Sequence, residues 1–368
     1  MRVFISPVGT SILTNYVRNN EISFSVYDYA NYKKEDYAQD ELNRLIDIVN
    51  SLKQNATEWS IEEAKTASAE LNGLLSFDKD LKSEDLLYFI ITDTLQSRLA
   101  FEIVNVFLQQ HFGITGQEIT LKHLTTKNKH DFLEGVKELL RWSNENLSAF
   151  KNSNYSIYFN LTGGFKSLLG YLTPIGMFYA DSIFYIFETG ELIEIPKLPI
   201  KVDETLFSEY AAEFLLMNES YFIDEKRLIN IPQTLLEEAG EGKFGLSVWG
   251  ELMWDRIKEN ILTKMLIPLP GIKYSQTFKN NFKDKNTDIQ KIQLQETLAK
   301  VGRLLLENGN DSSALKRDNG LSYENCRVKK HESKTIGHFR YNQSQRVSCV
   351  VTDNGLLLLE NGYHDVCD

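Results

Sequence analysis

The residues best suited to chemistry fall in two separate parts of the chain. Near the C-terminal end, His338 and Arg340 stand two apart in the strand pattern IGHFRYN, so they share one face of that strand. Arg346, in QRVSCVV, can join them from the same or the next strand, and His364 follows the last apolar run. A sheet face that carries Arg, Arg and His suits RNA cleavage without a metal. The 2′-hydroxyl must lose a proton, the pentavalent phosphate must be stabilised, and the leaving oxygen must gain a proton. No carboxylate cluster has metal-ligand spacing, so neither a metal nor a cofactor is expected.

In the first half of the chain, YFNLTGGFKS (Tyr158–Ser167) has the look of a phosphate loop. A Walker loop needs glycine directly before its lysine, with another glycine upstream. Here Phe165 separates Gly164 from Lys166, and Phe159 stands where the upstream glycine belongs, so the stretch does not read as an ATPase loop. The residue types still suit a phosphodiester. Gly163 and Gly164 permit close backbone approach, a helix N-terminus begins there, and Lys166 brings positive charge. Two further strand ends carry small polar residues, Gly9-Thr10-Ser11 and Thr92-Asp93-Thr94.

These residues need a frame. RVFISPV, DLLYFIITDT and YSIYFNL read as buried strands, with helices between them such as LQSRLAFEIVNVFLQQHFG. SIFYIFE and ELIEIP form a hairpin about Thr189-Gly190. Strand and helix in alternation predict a mainly parallel sheet with helices on both faces, which takes ligands beyond the C-terminal ends of its strands. The three polar strand ends should converge there on one crevice. The polar helical stretch from about Glu35 to Leu75 lies outside this sheet and reads as an insertion at an interface or a lid. From about residue 201 the pattern turns helical, with a short polar connection, and a winged-helix unit is compatible with it. Two prolines in IPLPGIKY mark a third domain from about residue 270, where one long helix precedes four strands. The last two of these join through Asp353-Asn354-Gly355. The fold class is therefore α/β and multidomain, with domains at 1–200, 201–269 and 270–368.

The net charge of −11 over 368 residues speaks against a general nucleic-acid binder, but it is unevenly spread. Residues 270–368 hold 15 Lys and Arg against 12 Asp and Glu, and residues 316–346 hold eight against three. A local basic surface on an acidic protein suits a polyanion. Three cysteines without CxxC spacing fit a reducing compartment. With no signal-peptide pattern and no apolar run near the ~20 residues that span a bilayer, a cytoplasmic protein is expected.

ISPVGTSILTN followed by NLTGGFKS resembles the CRISPR-associated Rossmann-fold (CARF) sensor domains over about residues 1–200. The resemblance implies a homodimer that binds a cyclic oligoadenylate, cyclic tetra-adenylate on family grounds, across its two-fold axis. It implies ligand contacts from Thr10, Ser11, Asn160, Thr162, Gly163, Gly164 and Lys166. Asp93, Thr94 and Gln96 are added from their strand end. Some CARF domains cleave their activator, for which Ser11 and Lys166 are the candidates. IGHFRYNQSQRVSCVV and ENGYHDV resemble the RelE-type mRNA interferases, an α+β fold. On that match His338, Arg340, Arg346 and His364 are active-site residues, with His338 where the family often has lysine. Sensor, helical linker and RelE-like domain together resemble the CRISPR-Cas-associated mRNA interferases, which implies the ribosome and mRNA as partners. The alternatives are a CARF transcription regulator with a DNA-reading winged helix, and a ring nuclease that degrades cyclic oligoadenylate.

Overall fold

The structure is a computed structural model that describes residues 1–187, 189–199 and 202–363, without the side chains of 327–329. The chain divides into two compact units, Met1–Ile200 and Lys201–Asp368.

Unit 1 runs β1 (Arg2–Pro7), α1 (Ser11–Asn19), α2 (Gln39–Ala56), α3 (Ile61–Ala67), α4 (Ala69–Phe77), β2 (Leu86–Ile91), α5 (Leu95–Phe112), β3 (Gln117–Thr120), α6 (Lys129–Asn152), β4 (Ser156–Asn160), α7 (Lys166–Tyr179), β5 (Ser182–Ile186) and β6 (Leu192–Pro196). Its sheet has the order β3-β2-β1-β4-β5-β6. The first five strands are parallel and β6 closes the edge antiparallel. Strands covered on both faces must be apolar along their length, and β1 is buried from Val3 to Pro7. Chain order reverses between β1 and β4, which makes their shared C-terminal end the switch point where such sheets bind ligands. The stretch expected to be an insertion forms α2, α3 and α4. Leu71, Leu74 and Leu75 of α4 are buried in the same hydrophobic cluster as Phe4 and Phe184.

Unit 2 runs α8 (Glu204–Glu209), α9 (Ala211–Asn218), β7 (Ile223–Asp224), β8 (Leu236–Gly240), β9 (Lys243–Leu246), α10 (Val248–Leu262), β10 (Ile272–Tyr274), α11 (Gln276–Asp284), α12 (Asp288–Glu307), α13 (Ser313–Arg317), β11 (Glu324–His331), β12 (Lys334–Arg340), β13 (Arg346–Thr352) and β14 (Gly355–Gly362). The connection expected to be short and polar instead holds a three-stranded sheet, β7-β9-β8. LEEAG and KFGL alternate too weakly to announce strands, and the hairpin turns on Gly240 and Gly242, both at positive φ. Residues 201–269 and 270–368 share one hydrophobic cluster, with Phe214 and Trp254 alongside Leu298, Phe339 and Leu358. The five-stranded sheet has the order β10-β14-β13-β12-β11. The β13–β14 hairpin turns at Gly355, whose φ of 118° no other residue adopts easily.

Candidate functional site

At the switch point the Gly9 and Gly163-Gly164 backbones nearly touch: a Cβ on Gly9 would lie 3.0 Å from the Gly164 amide nitrogen. Two helices start here, α1 at Ser11 and α7 at Lys166. Their N-cap residues, Thr10 and Phe165, make no side-chain capping bond. Uncapped N–H groups and two helix dipoles favour an anion. Lys166 is exposed beside them. Thr162 is half-buried, and its hydroxyl accepts from the Ile186 N–H at 3.2 Å. Asn160 is fully buried. Its amide donates to Ser6 Oγ (3.0 Å) and to the Glu70 carbonyl (2.9 Å), and its Oδ1 accepts from the Thr162 N–H at 3.3 Å. Asn160 braces the loop from beneath the strand ends.

Glu70, the second residue of α4, is a site residue that the sequence does not announce. It is 1% exposed at this crevice. Its Oε1 accepts from the Gly9 N–H at 2.8 Å, and its Oε2 accepts from Ser11 Oγ at 3.1 Å and Ser68 Oγ at 2.7 Å. A Cβ on Gly163 would stand 2.2 Å from Oε1, so this glycine is what lets the loop close over the carboxylate. In AELNGLL the glutamate reads as one more polar helix position; only the tertiary fold carries α4 across the strand ends.

The third strand end is arranged differently. Thr94 caps α5 by accepting from the Ser97 N–H. Gln96 is fully buried and donates to Tyr37 Oη at 3.3 Å, so it does not reach the crevice surface as expected. Asp93 pairs with Lys33 at 2.5 Å, and that carboxylate holds the lysine above its ordinary pKa. The Leu95 N–H donates to the Tyr32 carbonyl at 2.9 Å. The segment between α1 and α2, with Phe24, Tyr29, Tyr32 and Tyr37 in ring contact, therefore lies over this end.

In unit 2, strand register brings the expected residues together. His338 pairs with Ser348 and Glu324, and Arg340 stands directly opposite Arg346. These side chains share one face, while Phe339, Val347 and Cys349 on the other enter the core. His338 is 9% exposed and Arg346 6%. Arg346 Nη1 donates to the Gln345 carbonyl at 3.1 Å. Arg340 Nε is buried and has no hydrogen-bond partner among the described residues. The Arg346 guanidinium lies below its ordinary pKa, first because burial strips its water and then because Arg340 repels it, with Glu324 opposing. The 341–345 turn that presents Arg346 is fixed by buried polar groups. Asn286 Nδ2 donates to Tyr341 Oη at 3.0 Å, and Asn361 Nδ2 donates to Asn286 Oδ1 at 2.7 Å. His364 lies outside the described residues.

Among the described residues no helix is long and apolar enough to cross a membrane. Residues 65–198 match the family model of the CRISPR-associated protein (Cas_APE2256). That stretch, which holds Glu70, the β2 end and the Asn160–Lys166 loop but not β1 or the Gly9–Ser11 turn, is similar to a CRISPR-associated protein.

Proposed function

We propose that the chain is a messenger-activated ribonuclease of CRISPR defence. Unit 1 binds a cyclic oligoadenylate, cyclic tetra-adenylate by preference, as a homodimer through Thr10, Ser11 and the Thr162–Lys166 loop. Unit 2 then cleaves mRNA on the ribosome without a metal, using His338, Arg340, Arg346 and His364. The match to a CRISPR-associated family and the uncapped helix ends at the switch point support the sensor half. The nuclease half is carried by one observation, Arg340 set opposite Arg346. Like charges directly across a strand pair destabilise a sheet. A half-buried and a buried guanidinium in that position suit a phosphate that accepts from both. The test is to incubate the protein with translating ribosomes, with and without cyclic tetra-adenylate. Cleaved mRNA is expected only when messenger and ribosomes are both present, and cleavage independent of the messenger would defeat the reading.

The β8–β9 hairpin beside α10 gives the transcription-regulator reading an observation of its own, since a helix and a hairpin wing can read DNA. The hairpin carries exposed Glu238 and Glu241 with Lys243. Carboxylates at a wing repel DNA phosphates, so the ribonuclease reading stands first. Saturable binding to duplex DNA at physiological salt would reverse that order.

A further inference from the structure

The crevice between β1 and β4 has the form of an anion site, yet the chain has put an anion of its own there. Gly9 N–H, Ser11 Oγ and Ser68 Oγ all donate to the Glu70 carboxylate. These are the groups a ligand phosphate would use at the floor of the site. A phosphate placed there would meet a carboxylate at contact distance and find the donors already committed.

The consequence falls on Ser11. A serine hydroxyl has one proton and two lone pairs. The proton is directed to Glu70 Oε2, and one lone pair takes the Ala69 N–H at 3.0 Å. The hydroxyl is half-buried, and the position left open on it is a lone pair.

We propose that Glu70 is a specificity-determining residue that sets the polarity of this site: with its carboxylate in the floor, Ser11 meets a ligand as an acceptor. The ligand group taken at that point is a hydroxyl or amine donor, such as a ribose 2′-hydroxyl, and phosphate oxygens stay at the rim with Lys166. For the identity of the ring this rests on the sensor reading above; for the polarity it rests on the hydrogen bonds alone.

Glu70→Gln reverses the arrangement with little change of shape. The Gly9 N–H requires an oxygen, so the amide nitrogen takes the place of Oε2 and donates to Ser11. Both Ser11 lone pairs are then filled and its proton turns outward. The experiment titrates the full chain with cyclic tetra-adenylate and with its fully 2′-deoxy analogue. Wild type should prefer the ribose ring by about tenfold or more, the effect of one buried hydrogen bond left unmade. In E70Q the outward Ser11 proton can be donated to the 2′-hydroxyl oxygen, which accepts as well as donates, so the ring preference reads the Ser11 contact and the sulfate arm reads the polarity that Glu70 sets. Ser11→Ala, which leaves Glu70 in place, should lose the preference. Equal binding of both rings by wild type, or a preference kept in Ser11→Ala, overturns the proposal. A second arm uses sulfate, which offers only acceptors. Sulfate should raise the unfolding temperature of E70Q more than that of wild type, and an equal rise in both overturns the polarity. If neither ring binds wild type, the sensor reading fails and the sulfate comparison decides the polarity by itself.

Discussion

Lys166 is exposed at the first turn of α7, where the helix has no capping side chain. A lysine there adds mobile charge to fixed backbone donors, and a charge-assisted hydrogen bond contributes about 1.5–3 kcal/mol. Lys166→Ala should therefore weaken cyclic tetra-adenylate binding about ten- to a hundredfold by calorimetry, and unchanged affinity would remove it from the site. Arg346 is held more rigidly, buried and bonded to the turn before it. Losing a donor to a developing oxyanion costs about 10²–10³ in rate. Arg346→Ala should lower the single-turnover rate of mRNA cleavage by that factor at saturating ribosomes and leave messenger binding intact. A normal rate that merely needs more ribosomes would assign Arg346 to docking instead. At this scale the sequence reaches what local spacing fixes. His338 and Arg340 share a face because strands alternate, and Arg346 joins them because the hairpin sets the register. Glu70 was not legible, since nothing near it in the chain says that α4 crosses the β1–β4 boundary. The burial of Gln96 is equally illegible, because the aromatic segment that covers it lies some 60 residues earlier in the chain.

Among the elements, α4 bears most on the site. Its N-terminus supplies Glu70, and one turn later Gly73 lies against the end of β4. A Cβ at Gly73 would meet Asn160 Oδ1 at 2.0 Å and Thr162 Oγ1 at 2.4 Å. Gly73→Ala must push the helix or the loop away, and forcing extra atoms into a packed contact costs about 1–3 kcal/mol. A loss of unfolding free energy of that size, read from denaturant melts, with weaker ring binding, is the expected result; an alanine tolerated with full binding would mean that α4 can shift without disturbing the loop. The buried strands of unit 1 and the closing hairpins were readable because continuous apolar runs and glycine turns are local signals. The β7-β9-β8 sheet was not, because strands of two to five residues with half-exposed polar positions carry no such signal.

On the scale of the whole molecule, the hydrophobic cluster around Phe4, Phe89 and Phe107 lies entirely within residues 4–184. Residues 1–200 alone should fold and bind cyclic tetra-adenylate with the affinity of the full chain, and a requirement for residues beyond 270 would overturn the assignment of the sensor. Unit 1 should also respond to acid in a defined direction. Arg2 Nη1 donates to Asp78 at 2.6 Å, and Arg2 Nε to the buried Asp85 at 2.9 Å. The Asp78 carboxyl is held below its ordinary value of 3.8, first by the Arg2 hydrogen bond, with burial opposing. Its contribution to stability is complete above about pH 3.8 and is lost as pH falls through the lower folded value. Melts of wild type and Asp78→Asn between pH 6 and 2 should converge toward the acid end, and a constant gap would exclude this linkage. The opposed arginines of unit 2 carry a different consequence. A sheet that confines like charges is less stable empty than filled, so whatever neutralises them is coupled to folding by mass action. The melting temperature of unit 2 then becomes a thermometer for its own occupancy. Short RNA fragments too weak to be cut could be ranked by how far each moves it.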